Sequence, residues 1–252
     1  MIPIYNTIIN AIDNQNENDK VNFFAIDAMG GSGKTTFAKK IYHYCHSKNK
    51  IILGSAATGL AAQVYEELEF ETVHTQFGIP ILETEEDYDT INDIVCNLDH
   101  KPQRIELINN TSVFIFDEVF SNHKYCITAI LKSFENLKGK IVLFLMDRGQ
   151  TAPVVKYSSR EETVNSTIMT LPIWDEIQKF SLNSNLRLLR MGIDNPNDPH
   201  YIRQSTYATA LTEIRTNGPF ALNSPVDELM FFEKSGIKLL RFKGKSIIKI
   251  LI

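Results

Sequence analysis

The stretch Ala28-Met-Gly-Gly-Ser-Gly-Lys-Thr35 follows an apolar run, Phe23-Phe24-Ala25-Ile26, and opens onto a helix-like segment from Thr36 to Ser47. Strand, glycine-rich loop, Gly-Lys-Thr and helix in that order make a phosphate-binding loop. Gly30, Gly31 and Gly33 lack Cβ atoms, which lets the backbone curl and turn successive N–H groups toward a phosphate. Ser32 and Thr36 complete the loop and its first helical position. The helix adds the positive end of its dipole. Lys34 brings a mobile charge to the β- and γ-phosphates, and the Thr35 hydroxyl is a ligand for Mg²⁺. Ala28 stands where the pattern G-x-x-x-x-G-K-[ST] usually begins. The bland alternative is a glycine turn between a strand and a helix.

Outward from the loop, the chain alternates. Ile4, Ile8, Ile9 and Ile12 fall at helical spacing, and Asn14 to Lys20 reads as a loop. Strands are expected at Val21–Asp27, Lys50–Gly54, Ser112–Phe116 and Ile141–Met146, with a short fifth at Phe180–Leu182. A second helix is expected at Thr58–Leu68. Apolar strands alternating with helices predict an α/β fold of three layers, a P-loop NTPase domain by its loop, whose sheet is mostly parallel and covered on both faces. Ligands of such sheets bind at the carboxyl ends of the strands. Glu83 to Asp89 is an acidic run that reads as a solvated loop or helix start. Beyond about Gly218 the alternation fails. Ile237 to Ile252 mixes Lys and Arg with Leu and Ile, and reads as a strand pair, a tail, or a membrane-surface segment.

The third strand ends in Asp117-Glu118. Adjacent carboxylates delivered by a buried strand beside a phosphate loop form the second half of an ATPase site: Asp117 holds Mg²⁺, and Glu118 orients and deprotonates the attacking water. The fourth strand ends in Asp147-Arg-Gly-Gln150, where Gln150 is the candidate that reaches the γ-phosphate or the water. Arg187 follows the short fifth strand. It can offset charge in the transition state or serve as a surface ion pair.

Bulk properties set limits. The 252 residues carry a net charge of −4 and 43% hydrophobic residues, which fits a globular chain with a sizeable core and no global basic field. A local basic groove remains compatible with that charge. Cys45, Cys96 and Cys126 are odd in number and widely spaced, as reduced intracellular thiols are. In His43-Tyr-Cys45-His46, His43 and Cys45 point in different directions on a helix, so these read as ordinary surface and core residues rather than a metal site. No apolar run approaches the ~20 residues that span a bilayer, and no secretory signal opens the chain. The expectation is an intracellular protein without membrane contact.

Taken together these motifs resemble the Pif-type (petite integration frequency) DNA helicases, and especially the branch carried by Helitron transposons. The matching text, from about Tyr5 to about Gly218, is Phe23–Asp27 with the loop, Gly54-Ser-Ala-Ala-Thr-Gly-Leu-Ala-Ala62, Thr72-Val-His-Thr-Gln-Phe-Gly-Ile-Pro80, Phe116-Asp-Glu118, Asp147-x-x-Gln150-x-x-Pro-Val-Val155 and Leu182-x-x-Asn-Leu-Arg-Leu188. The resemblance implies ATP and Mg²⁺ as cofactors and single-stranded DNA as partner. It also implies nuclear action in DNA repair, recombination and telomere maintenance. Thr58 and Gly59 then grip a strand phosphate, and His74 lies near the bound strand; Phe77 reads as core. The sequence departs from the family at the adenine-reading glutamine motif, which is not found, and at Met146, Arg148-Gly149 and Thr151-Ala152.

The expected domains are residues 1–218, a RecA-like ATPase domain (the first helicase lobe), and 219–252, a tail. About 34 residues are too few for a second lobe. The reading is therefore a truncated, monomeric copy that binds Mg·ATP, hydrolyses it slowly and does not unwind DNA, with no small-molecule substrate besides ATP and water. Two alternatives are a P-loop kinase for a small molecule and a non-catalytic nucleotide-binding remnant.

Overall fold

The computed structural model describes residues 1–16, 20–82, 90–134, 137–156, 158–217, 240–242 and 245–247. The acidic run Glu83–Asp89 and most of the stretch beyond Gly218 lie outside them. The chain divides into two compact units, Met1–Asn183 and Ser184–Ile252.

The first unit is built on a six-stranded sheet in the order β3-β2-β4-β5-β1-β6. Its strands are β1 (Asn22–Ala28), β2 (Ile52–Ala56), β3 (Glu71–Thr72), β4 (Val113–Asp117), β5 (Ile141–Met146) and β6 (Gln178–Leu182). Every pairing is parallel. The continuous apolar runs have a direct cause: successive side chains of a strand face opposite ways, and both faces are covered. Phe24, Ile26, Val113, Ile115, Ile141, Leu143 and Leu145 pack on one side with Ile8 and Ile12 of α1 (Ile2–Asp13) and Phe37 and Ile41 of α2 (Lys34–Ser47). Phe23, Phe114, Phe116, Val142, Phe144 and Met146 pack on the other. There they meet Phe77 of α4 (Val73–Phe77), Ile108 of α5 (Pro102–Asn110) and Ile127 and Ile130 of α6 (Lys124–Ser133). The three-layer α/β architecture is the one expected, and Phe77 is core.

Three local readings are corrected. The second strand lies two residues later than expected, because Ser55 and Ala56 pair with both β3 and Phe116-Asp117 of β4. The second helix is not continuous from Thr58 to Leu68. α3 covers only Gly59–Gln63, Tyr65 N–H bonds back three residues to Ala62, and a separate 3₁₀ turn follows at Glu66–Leu68. Tightening the chain there buries both Tyr65 and Leu68. Strand β3 was not anticipated, since two polar residues carry no hydrophobic period.

In the first unit, α7 spans Arg160–Asn165 and opens with a capping box at Ser159. The second unit holds α8 (Leu186–Asp194), α9 (Pro199–Asn217) and an antiparallel pair, β7 (Leu240–Phe242) with β8 (Lys245–Ile247). Of the three readings of the C-terminal stretch, the strand pair is the one found.

Candidate nucleotide and metal site

Parallel pairing brings the carboxyl ends of β1, β5 and β4 to one edge, with β5 between the other two. The glycine loop leaves β1 at Ala28 and enters α2 at Lys34. Gly31 and Gly33 adopt positive φ, 78° and 91°, a region that disfavours a Cβ. Gly30 does not, and a Cβ there would meet open space, so two of the three glycines shape the curl. Ser32 is buried, and both its N–H and its hydroxyl donate to the Met29 carbonyl, closing the loop on itself. Thr36 is exposed.

Lys34 Nζ lies 3.2 Å from Asp117 Oδ1 across the edge of the sheet. Asp117 is almost wholly buried, so its charge requires partners. It has two more: the Glu118 N–H donates to Oδ1 at 2.8 Å, and the Tyr65 hydroxyl donates to Oδ2 at 2.7 Å. The Thr35 side chain neighbours the same phenol. Burial first, then the charge and hydrogen bond of Asp117, push the Tyr65 phenol well above its ordinary 10, with Thr35 opposing. At neutral pH it is therefore a neutral donor. Glu118 follows with φ 54°, and its carbonyl accepts from the Ser121 N–H and hydroxyl.

Asp147, after β5, accepts from the Gly149 N–H through Oδ1 at 3.0 Å, and its carbonyl accepts from the Gln150 N–H. The Gln150 side chain is exposed on this turn. Arg148 Nε donates to Asp27 Oδ2 at 2.8 Å, tying the turn after β5 to the last residues of β1.

Thr58 is exposed, and its hydroxyl caps α3 by accepting from the Ala61 N–H; Gly59 follows, also exposed. The His74 ring is held within the protein, Nδ1 against the Ile79 carbonyl at 3.1 Å and Nε2 3.8 Å from Cys126 Sγ. Arg187 belongs to the second unit, exposed in the first turn of α8, where Asn185 caps its N–H. Cys45 is buried, while His43 and His46 are exposed. Burial raises the Cys45 and Cys126 thiols to about 12 and Cys96 to about 11, so all three are protonated and inert at neutral pH.

Sequence reasoning missed Tyr65 and Arg148. Tyr65 sits in a Glu-rich helical segment, and its partner lies 52 residues away. The Arg148–Asp27 pair spans 121 residues. Neither separation leaves a local signal.

Thr35 and Asp117 offer Mg²⁺ oxygen donors, the hard ligands it takes, and converge on one phenol. Among the described residues no cluster of three or more His, Cys, Asp or Glu could hold a metal. Mg²⁺ does not need one, because it is bound by one or two protein oxygens with substrate phosphates and water. The residues present fit the ion.

A comparison with curated proteins gives no match. Solved structures do match. Pif1 helicase from Candida albicans aligns at 18% identity with a TM-score of 0.61, over 96% of this chain and 48% of that one. Bacteroides Pif1 bound to single-stranded DNA aligns at 20% and 0.59, over 91% and 48%. Bacteroides sp. Pif1 in complex with ADP-AlF4 aligns at 22% and 0.55, over 90% and 47%. The chain thus spans about half the length of these proteins, and the likeness shows a shared fold. The model of the PIF1-like helicases matches residues 3–219, covering the phosphate loop, the Asp117-Glu118 pair and the Gln150 turn, and the chain belongs to the PIF1-like helicase family.

Proposed function

We propose that this chain is the first motor domain of an ATP-dependent DNA helicase, binding Mg·ATP at the glycine loop and single-stranded DNA at the same edge of the sheet. The observation that carries the reading is the 3.2 Å approach of Lys34 to Asp117, which puts the phosphate-seeking charge and the metal-seeking charge within one ion pair. On arrival of a triphosphate, Lys34 exchanges Asp117 for the β- and γ-phosphate oxygens, and Asp117 is released to the metal. Mg²⁺, when bound, neutralises charge on the transferring phosphoryl group. Glu118 takes the proton of the attacking water. Gln150, on the turn after the middle strand of the three, orients that water. Thr58, Gly59 and His74 are the DNA-side residues of the proposal, acting through phosphate contacts that carry no sequence preference. Membership of the helicase family supports this reading over a small-molecule kinase, as does the Asp117-Glu118 pair beside the loop. The biological setting we propose is DNA repair and recombination in the nucleus, with a monomer as the working unit.

Titration of a fluorescent ATP analogue against the wild type and Lys34→Ala tests the loop. Affinity should fall at least tenfold in the variant; equal affinities remove the loop from the account. Phosphate release should rise on adding single-stranded DNA, whereas a kinase would respond to a small acceptor instead.

A further inference from the structure

Tyr65 is fully buried, and a buried phenol needs a hydrogen-bond partner. Here the partner is the carboxylate assigned to the metal, and the second contact is the hydroxyl assigned to the same metal. Its ring is fixed from behind. Phe70 stacks on it with centroids 4.2 Å apart and planes 17° from parallel. Phe70 in turn occupies the space left by the bare Gly54 of β2, where any Cβ would collide with its ring. A line of contacts thus runs from β2 through two aromatic rings to Asp117 Oδ2. The other two partners of Asp117, Lys34 and the Glu118 N–H, both sit on Oδ1. When Lys34 leaves for phosphate, one hydrogen bond remains on each oxygen. The terminal torsion of a carboxylate is broad by itself, so the Oδ2 bond, with the Glu118 N–H on Oδ1, is what then fixes its rotation.

We propose that Tyr65 is a positioning residue for the divalent cation: one phenol, locked by Phe70 over Gly54, sets the rotation of the Asp117 carboxylate and its spacing from the Thr35 hydroxyl. The inference rests on the nucleotide-site reading above. Partners of this kind, one bond removed from a metal, change metal affinity ~10–100-fold when removed.

The test is calorimetric titration of ADP into the full chain with and without Mg²⁺. Tyr65→Phe keeps the ring, its stack and its volume, and removes one oxygen. It should leave metal-free ADP affinity as in the wild type and lower the Mg²⁺ affinity of the ADP complex ~10-fold or more. Asp117→Asn, as reference, should abolish the Mg²⁺ effect. A Tyr65→Phe chain whose Mg²⁺ affinity equals or exceeds that of the wild type overturns the proposal. A purely structural role would move both affinities together, and that outcome overturns it too. If Tyr65→Phe does not fold, Phe70→Leu decides: it keeps the phenol but unlocks it, and should weaken Mg²⁺ selectively. Lys34→Ala separates the two levels of argument, because loss of all ADP binding there, with an unaltered Mg²⁺ response in Tyr65→Phe, sinks only the role of Tyr65.

Discussion

Glu118 stands at φ 54°, a left-handed conformation that costs a non-glycine residue roughly 1–2 kcal/mol. Its neighbours hold it there: Asp117 Oδ1 accepts its N–H, and Ser121 donates twice to its carbonyl. Strain that the surroundings enforce is common where a side chain must be aimed, and here it falls on the residue proposed as the general base. Glu118→Gln should bind ATP as the wild type does and lose ~10²–10⁴ in hydrolysis, the usual contribution of a general base; phosphate-release kinetics check it. Glu118→Gly should lose hydrolysis equally without a fall in melting temperature, because glycine adopts this backbone freely. A large drop in melting temperature would show that the side chain, not the backbone, carries the structural role. At this scale the legible feature was the meeting of the glycine loop with the end of β4, where Lys34 lies 3.2 Å from Asp117, because lysine after such a loop and a carboxylate after a buried strand are residue types with few substitutes. Tyr65 was not legible, because a tyrosine among glutamates gives no sign that it will meet a carboxylate 52 positions away.

Elements whose burial is two-sided were read well. β5 falls at the expected residues, Ile141–Met146, since six apolar residues in a row suit a strand covered on both faces. β3 and the break after Gln63 were not readable, because both depend on what packs beside them. One element carries a titration. His123 is the N-cap of α6, and its Nδ1 accepts from the Tyr125 N–H at 3.2 Å, which requires an unprotonated nitrogen. Burial, aided by the Lys124 charge, lowers its pKa from 6.5 to about 4. The folded state therefore favours the neutral ring, while the unfolded chain takes up a proton below 6.5. This contribution to stability is present above pH 6.5 and is lost as pH falls toward 4. After discounting for solvent screening at a half-buried ring it is about 1 kcal/mol. Melting temperatures at pH 7 and pH 5 should differ more for the wild type than for His123→Asn, which keeps a capping oxygen and does not titrate. Equal differences would detach α6 from the acid response. Gly54→Ala belongs to the same scale. Displacing Phe70 from β2 should cost about 1–3 kcal/mol, read as a lower midpoint in urea, and should weaken Mg²⁺ binding with it.

At the scale of the molecule, both hydrophobic clusters are built from residues between Ile8 and Leu182, all inside the first compact unit. The glycine loop, Tyr65, Asp117, Glu118 and Gln150 lie in the same unit. The family match runs on to residue 219, through α8 and α9, whereas among the described residues every buried member of the two clusters comes before Asn183. A core closed on itself is the condition for independent folding. A fragment of residues 1–183 should therefore unfold in a single transition and bind Mg·ADP with nearly the affinity of the full chain. The nucleotide should raise its melting temperature in step with occupancy, as any ligand specific for the folded state does. Calorimetry of fragment and full chain side by side measures both. A fragment that folds but binds tenfold more weakly would show that residues after Asn183 contribute to the nucleotide site, and Arg187 would be the first to replace. A fragment that does not fold would mean that the first unit draws stability from residues after Asn183.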